Sequence, residues 1–359
     1  MMSVIASLGL PELIAGIMML SLNAYALMGG ADFGGGVWDL LARGPRRDAQ
    51  RALVSASIAP IWEANHVWLI IVVVMLFTAF PDAFATLGIV LHIPLSLMLI
   101  GIVLRGAAFV FRSYGSRGSA AQSRWGLVFA TASVVTPLLL GIIVGAIATG
   151  SVGDAAAQIP RHRGALDAAM PNFADVFITP WLEPFPLAIG AMALALFAYL
   201  AAVYLAYAAR DAELREDFRR NALIAAGAVF VTALTGLVVA ETTVPQISHR
   251  LMTSAWALPF QSATAIAAIA AIWALVTRRW SIARVAAAAQ VTLILWGWAF
   301  VQYPLLIPPS LTIRGAAAPR LTLELLLWAL AIGGVLLLPS LVYLFRTFSA
   351  ERHASDTRS

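Results

Sequence analysis

Lysine and cysteine are both absent from this chain of 359 residues, and charged residues make up only 11% of it. The absence of cysteine excludes disulfide bonds, thiolate-ligated iron–sulfur clusters and covalently attached haem. The hydrophobic fraction of 61% and the charged fraction of 11% together exclude a soluble globular domain. About a quarter of the residues in such domains are charged, and about half are apolar. The sequence therefore predicts a membrane protein whose basic residues are all arginines or histidines.

Nine apolar stretches are long enough to cross a bilayer, which requires about 20 residues of helix. They cover residues 10–31, 53–79, 83–111, 125–149, 181–208, 221–243, 257–277, 285–307 and 321–345. This pattern predicts an all-α, polytopic fold of two four-helix bundles and one extra helix. The predicted divisions are a first transmembrane half at 1–149, a connecting segment at 150–180, a second half at 181–345 and a tail at 346–359.

The arginines are divided unequally between the two sides of this predicted bundle. Seventeen lie in the connections and the tail on one side, five lie on the other side, and Arg105 falls inside a span. Cytoplasmic loops of membrane proteins carry the excess of basic residues. We therefore expect an N-terminus outside and a C-terminus in the cytoplasm. This distribution also accounts for the net charge of +5, so no nucleic-acid partner is expected.

Ionisable residues inside the predicted spans are the candidates for function, because such groups are costly in lipid and rarely lack a partner or a task. Glu63 lies about 15 Å inside the second predicted span, and His66 follows one turn later on the same face. The two side chains could relay a proton, with Trp62, Asn65 and Trp68 as aromatic and polar support. The alternative is a set of purely structural hydrogen bonds to neighbouring helices.

Three further residues are candidates for the same relay. His92 lies about 14 Å inside the third predicted span, a depth that allows contact with Glu63 and His66. For Arg105, snorkelling of the side chain to water is favoured over an ion pair with Asp32 or Glu63. Asp32 is either a solvated acid at the end of the first span or the pairing partner of Arg105.

A glycine-rich stretch ends the first predicted span. Five glycines lie between positions 29 and 36, and the Gly30-x-x-x-Gly34 spacing predicts close approach of a neighbouring helix. The same run predicts a break near the inner end of the first helix. A phosphate-binding loop is disfavoured, because no lysine follows the glycines and no strand precedes them.

Three short sequence motifs lie in or at the ends of the first three predicted spans. They are Tyr25-Ala26 with Gly30-Ala31-Asp32-Phe33-Gly34, Pro60-x-Trp62-Glu63-x-Asn65-x-Val67-Trp68-Leu69, and Leu104-Arg105-Gly106-x-Ala108-Phe109-x-Phe111-Arg112. This set resembles the signature sequences of subunit II of the cytochrome bd-type quinol oxidases. The number of spans, the predicted orientation and the length agree with that family.

The resemblance implies a subunit without haem that is not catalytic alone. Its heterodimer partner would be subunit I, which carries haem b, haem d and the quinol site, in a complex that oxidises quinol and reduces O2 to water. The resemblance further implies that subunit II supplies access for protons and O2, with Glu63 at the family's membrane-embedded acid position and Trp68 beside it. Bound quinone or lipid and small accessory subunits are left open.

Three positions depart from the family pattern. Gly29 and Val110 stand where members often carry an acid, and His66 stands where a glutamine is common. A proton route through those acids cannot operate identically in this chain. The departures are compatible with a divergent, cyanide-insensitive-like branch of the family.

Two other functions fit parts of the pattern. One is a proton-coupled secondary transporter with Glu63, His66 and His92 at the midplane, although nine spans fit a simple two-repeat transporter poorly. The other is a b-type cytochrome with His66 and His92 as axial ligands of a haem held within this chain.

Overall fold

The computed structural model describes residues 9–58, 62–114, 120–159 and 171–354. Within these ranges, the side chains of residues 62, 63, 113, 114, 120, 338, 342 and 344–354 lie outside the description. Pro60 of the predicted polar stretch and the last five residues of the predicted tail also lie outside the described residues.

Fifteen helices and one two-stranded hairpin make up the described part of the chain. In chain order they are α1 (Leu10–Leu41), α2 (Arg47–Ile58), α3 (Trp62–Ala79), α4 (Pro81–Val90), α5 (His92–Tyr114), α6 (Ala120–Thr149), α7 (Ser151–Ala157), α8 (Phe173–Phe177), α9 (Thr179–Leu182), α10 (Pro184–Ala208), α11 (Ala212–Thr243), α12 (Pro245–Thr253), α13 (Ala257–Val276), α14 (Trp280–Gln302), β1 (Leu305–Ile307), β2 (Leu311–Thr312) and α15 (Arg320–Ala354).

Eight of the described helices are long and apolar enough to cross a membrane, namely α1, α5, α6, α10, α11, α13, α14 and α15. A ninth span is obtained when α3 and α4 are counted together, although the two helices are bent by 115° relative to each other. The prediction of an all-α polytopic fold with about nine spans is therefore confirmed.

The third predicted span, 83–111, is wrong at its start. Pro81 begins α4 because proline lacks the N–H group that would continue α3 and is favoured in the first turn of a new helix. The chain bends there, and the membrane-crossing helix α5 begins only at His92. The short link predicted between the second and third spans is therefore a ten-residue helix.

Helix α1 is the centre of the first bundle because its glycines admit neighbours on several sides. A Cβ atom at Gly34 would lie 2.0 Å from the carbonyl oxygen of Phe197 in α10. A Cβ atom at Gly36 would lie 2.1 Å from Ser133 Oγ in α6. The predicted close approach is thus confirmed, whereas the predicted helix break is wrong, since α1 continues to Leu41.

The helices form two groups that meet along α10. In the first group, α1 packs against α3 and α6, and α5 packs against α6. In the second group, α11 lies against α10, α13 lies against α14, and α14 also contacts α10. Helix α10 packs on α1 and α6 and so joins the groups, while α15 contacts α1 and α3 and adds the extra helix to the first group.

Ion pairs tie the ends of these helices together. On the arginine-rich side, Arg46 binds Asp217 through two nitrogens, at 2.8 and 2.7 Å, and Glu213 through a third, at 2.7 Å. The hydrogen bond to Asp217 keeps the pKa of Arg46 above its ordinary value, so this link between the groups stays charged. On the opposite side, Arg314 binds Glu12 in the first turn of α1. The assignment of these sides to cytoplasm and exterior stays a prediction.

We expect Gly34→Ala to destabilise the protein by about 1–3 kcal/mol or more, because the added methyl group would force α10 away from α1. The measurement is thermal unfolding of the detergent-solubilised protein. Gly16→Ala in the same helix is the matched control, since no atom lies within 4 Å of its Cβ position. Equal unfolding temperatures for the two variants would contradict the proposed close approach.

Candidate functional site

A buried ion pair joins the first and third signature stretches. Arg105 donates from Nη1 to Asp32 Oδ2 at 3.0 Å and from Nη2 to Asp32 Oδ1 at 2.6 Å. Nη2 also donates to the backbone oxygen of Asp32 at 2.8 Å. The two side chains are 1% and 0% exposed, so neither charge reaches water at the protein surface.

Helix α6 and two aromatic rings complete the surroundings of the guanidinium. Arg105 Nε donates to Ser133 Oγ at 3.2 Å, and that hydroxyl donates to the Phe129 carbonyl oxygen at 2.7 Å. The guanidinium carbon lies 4.8 Å from the ring centroid of Phe33 and 4.9 Å from that of Phe129. Four of the five N–H groups of the guanidinium are therefore satisfied, and the cation also gains from two ring faces.

The favoured prediction that Arg105 snorkels to water is wrong. The residue lies 13 positions into α5, about 20 Å along the helix axis from His92, and α1 and α6 cover it on both sides. A buried cation without a partner would be strongly unfavourable, whereas a bidentate carboxylate offsets much of that cost. Asp32 is accordingly the pairing partner of Arg105 and not a solvated acid.

Helix α3 brings the second signature stretch to the same level. The His66 ring centroid lies 6.5 Å from that of Phe33, and the Asn65 amide faces the Asp32 carboxylate without meeting hydrogen-bond geometry. Asn65 Nδ2 also lies 3.2 Å from the Cβ position of Gly29. The amide of Asn65 therefore occupies the space beside the position where family members often carry an acid.

Several buried polar atoms around this pair have no protein partner. They are the Tyr25 hydroxyl, both side-chain polar atoms of Asn65, His66 Nδ1, Trp68 Nε1 and the Thr136 hydroxyl. Groups of this kind are commonly satisfied by ordered water in protein interiors. The site is thus a cluster of buried polar side chains contributed by α1, α3, α5 and α6.

Two further predicted site residues lie near His66 in sequence. Trp62 and Glu63 begin α3, one turn before His66, but their side chains lie outside the described residues. Their predicted roles in the relay therefore stay predictions.

His92 does not join this site, so its predicted contact with His66 is wrong, while a contact with the Glu63 side chain lies outside the described residues. It is exposed at the first position of α5, where its ring packs on Phe177 at 5.2 Å and Nδ1 lies 2.8 Å from the Ile89 carbonyl oxygen. The reason is the late start of α5, which leaves His92 at the helix end instead of nine residues inside a span. Of the three residues in the transporter alternative, the described His66 and His92 therefore do not meet.

The positions of His66 and His92 also fail to fit one haem held between them. His66 lies at the level of the Asp32–Arg105 pair, and His92 lies about 20 Å away along α5. Among the described residues, no three histidine, aspartate or glutamate side chains come together as a metal site. The b-type cytochrome alternative therefore lacks its pair of axial ligands.

A second ion pair was not anticipated from the sequence. Arg112 donates from Nη1 and Nη2 to the two carboxylate oxygens of Asp39, both at 2.9 Å. Each partner lies seven residues beyond its counterpart in the first pair, and both pairs have a sequence separation of 73. This repeated spacing of acid and arginine on two parallel helices was a usable signal.

The fold and this buried polar site define a class of protein, a multi-pass α-helical membrane protein with a charged network inside its helix bundle. Residues 10–348 match the family described as cytochrome bd terminal oxidase subunit II. The chain belongs to that family, whose members are multi-pass proteins of the bacterial cell membrane.

Individual relatives match shorter stretches. The chain is 29% identical over 138 residues to cytochrome bd ubiquinol oxidase subunit 2 of Bacillus subtilis (strain 168), which covers 38% of this chain and 40% of that protein. It is 28% identical over 138 residues to cytochrome bd-I ubiquinol oxidase subunit 2 of Escherichia coli (strain K12), covering 38% and 35%. The matched stretch thus spans less than half the length of these relatives.

The fold also has a solved counterpart. A chain in the structure of bd oxidase from Geobacillus thermodenitrificans superposes with a TM-score of 0.75 at 21% sequence identity. The superposition covers 95% of this chain and 99% of that one. The shared fold therefore covers 95% of this chain, well beyond the 138 residues aligned with the two relatives above.

We expect Arg105→Leu to lower the free energy of unfolding by about 3–5 kcal/mol, because Asp32 would be left as a buried charge without a partner. The double variant Asp32→Asn with Arg105→Leu should recover part of that loss. Unfolding in detergent micelles gives the values, with Arg124→Leu at an exposed position of α6 as control. A single variant as stable as this control would show that the pair contributes nothing.

Proposed function

We propose that this chain is subunit II of a bd-type terminal quinol oxidase. Its partner is a haem-bearing subunit I, and the complex couples the oxidation of quinol to the reduction of O2 to water. The observation that carries the proposal is the match of residues 10–348 to the family pattern. Its support in the structure is the meeting of residues from all three signature stretches around Asp32 and Arg105.

In this proposal haem b and haem d are held by subunit I, and the chain acts as a subunit that is not catalytic alone. The separation of His66 from His92 supports this division, since these two histidines could not ligate one iron from both faces. Small accessory subunits and a bound quinone or lipid are compatible with the exposed apolar surfaces of the helices.

The chemistry of the buried site suggests which residues transfer protons and which hold the site in place. An arginine is permanently protonated in proteins and cannot itself give up a proton. Arg105 therefore holds Asp32 in place within the buried polar cluster, while Glu63 and His66 are the groups able to take up and release protons. Glu63 is the proposed relay acid, as expected from its position in the signature stretch.

Purification tests the assignment of haem to the partner. We expect haem absorption bands in a reduced-minus-oxidised spectrum when this chain is isolated together with its co-purifying polypeptide, and no such bands once the two are separated. Bands retained by the isolated chain would instead show a haem protein. Loss of every band, together with absence of quinol-dependent O2 consumption in the joint preparation, would refute the oxidase assignment.

Substitution of the proposed relay acid tests the mechanism. We expect Glu63→Gln to slow quinol-dependent O2 consumption by about 10²-fold, the lower end of what a positioned proton-transfer group contributes, with haem content unchanged. Glu241→Gln, at an exposed position of α11, is the matched control and should retain full activity. Full activity of Glu63→Gln would mean that the acid is structural.

A further inference from the structure

Two arginines at the arginine-rich end of the second helix group lie over exposed aromatic rings. The guanidinium carbon of Arg284 in α14 lies 4.1 Å from the ring centroid of Tyr207, which is in the last turn of α10. The guanidinium carbon of Arg279, the residue before α14, lies 5.0 Å from the ring centroid of Trp273 in the last turn of α13. Tyr207 is 40% exposed and Trp273 is 46% exposed. Each cation is therefore held at the edge of the helix group by its attraction to a ring face.

Neither of these two guanidinium groups is neutralised by a carboxylate. Among the described residues, no Asp or Glu side chain lies within ion-pair distance of Arg279 or Arg284, and no oxygen accepts a hydrogen bond from either side chain. The neighbouring Arg215 is different. It lies over the ring of Trp280 at 5.5 Å, but its Nε also donates to the Ala209 carbonyl oxygen at 2.9 Å. The N–H groups of Arg279 and Arg284 are therefore available to an acceptor from outside the described chain.

The two segments that form this end of the second group carry an excess of positive charge. Residues 210–220 and 278–284 together contain seven arginines and four acids. Two of those acids, Glu213 and Asp217, are bound by Arg46, which belongs to neither segment. The surface around the two ring-bound arginines is therefore complementary in charge to an anion.

Exposed apolar side chains continue from this charged surface along the same two helices. Ile282 and Val285 of α14 and Val276 of α13 are between 41% and 64% exposed. In a bilayer, such side chains on membrane-crossing helices are surrounded by acyl chains, whereas Trp and Tyr rings concentrate at the level of the headgroups. Arg279 and Arg284 thus lie at the boundary between the headgroups and the acyl chains.

We propose that Arg279 and Arg284 bind the headgroups of anionic phospholipids at this end of α13 and α14. A guanidinium presents its N–H donors in one plane, which suits the paired oxygens of a phosphate, and the ring beneath each guanidinium fixes its position. The exposed apolar side chains of the same helices contact the acyl chains of the bound lipid. A soluble anion would gain nothing from that apolar surface. The proposal goes beyond the oxidase assignment and does not rest on it.

Lipid binding to the purified protein tests this proposal. The chain is isolated in detergent with any polypeptide that accompanies it, its native lipid is removed, and native mass spectrometry measures the binding of added dioleoyl phosphatidylglycerol. Dioleoyl phosphatidylcholine, which carries no net charge, is the comparison lipid. We expect Arg279→Gln and Arg284→Gln each to weaken phosphatidylglycerol binding about fivefold, the contribution of one basic residue near an anionic lipid surface. The double variant should weaken it more than either single variant.

Two further variants separate a lipid site from a general attraction of lipid to positive charge. Arg124→Gln removes an exposed arginine of α6 on the same side of the bundle and should bind phosphatidylglycerol as the unaltered protein does. Arg284→Lys keeps the charge and should bind more tightly than Arg284→Gln.

Three results would overturn the proposed lipid site. They are equal weakening by Arg124→Gln and Arg284→Gln, equally tight binding of phosphatidylcholine and phosphatidylglycerol to the unaltered protein, and displacement of phosphatidylglycerol by excess inorganic phosphate. Quinol-dependent O2 consumption is measured separately on the same preparations. Failure of the lipid site would leave the oxidase assignment intact, and absence of quinol oxidation would refute that assignment without affecting the lipid result.

Discussion

The bidentate bond between Arg105 and Asp32 sets the arrangement of the first helix bundle. Both charges are removed from water, so each depends on the other and on hydrogen bonds at fixed distances. The bond holds α1 and α5 at one relative height, and the contact of Arg105 with Ser133 adds α6 to the same level. A sliding movement of any of these helices would leave a buried charge unpaired, which is far more costly than the loss of an apolar contact.

The glycines of α1 make this arrangement sterically feasible. A charged pair can be buried only if the surrounding helices approach closely enough to exclude lipid, and side chains larger than hydrogen at Gly34 or Gly36 would keep α10 and α6 away. The glycine-rich part of the helix remains continuous because each of the five glycines between positions 29 and 36 lies against a packed neighbour. Close packing and charge burial are therefore two parts of one constraint, and both depend on the same short stretch of α1, residues 32–36.

The buried network also gives a role to a subunit that, in the proposed complex, holds no haem. Two arginines that cannot release protons keep two carboxylates at fixed depths, and the unpaired polar atoms of Tyr25, Asn65 and His66 lie around the deeper pair. Such a cluster can hold water within a bundle that is otherwise apolar. In the proposed complex, this property allows protons to approach the haem-bearing partner without a titratable group at every step.

The sequence by itself determined the membrane class, the approximate number of spans, the family resemblance and the identity of the polar stretches, because these follow from local composition and short motifs. Only the tertiary structure decided that Arg105 is paired and not snorkelling, that His92 stands at a helix end, and that Asp39 finds Arg112. Depth in a bilayer depends on where a helix starts, and the bend at Pro81 moved that start. Burial depends on which neighbours cover a side chain, and those that bind Arg105 lie 28 and 73 residues away in sequence.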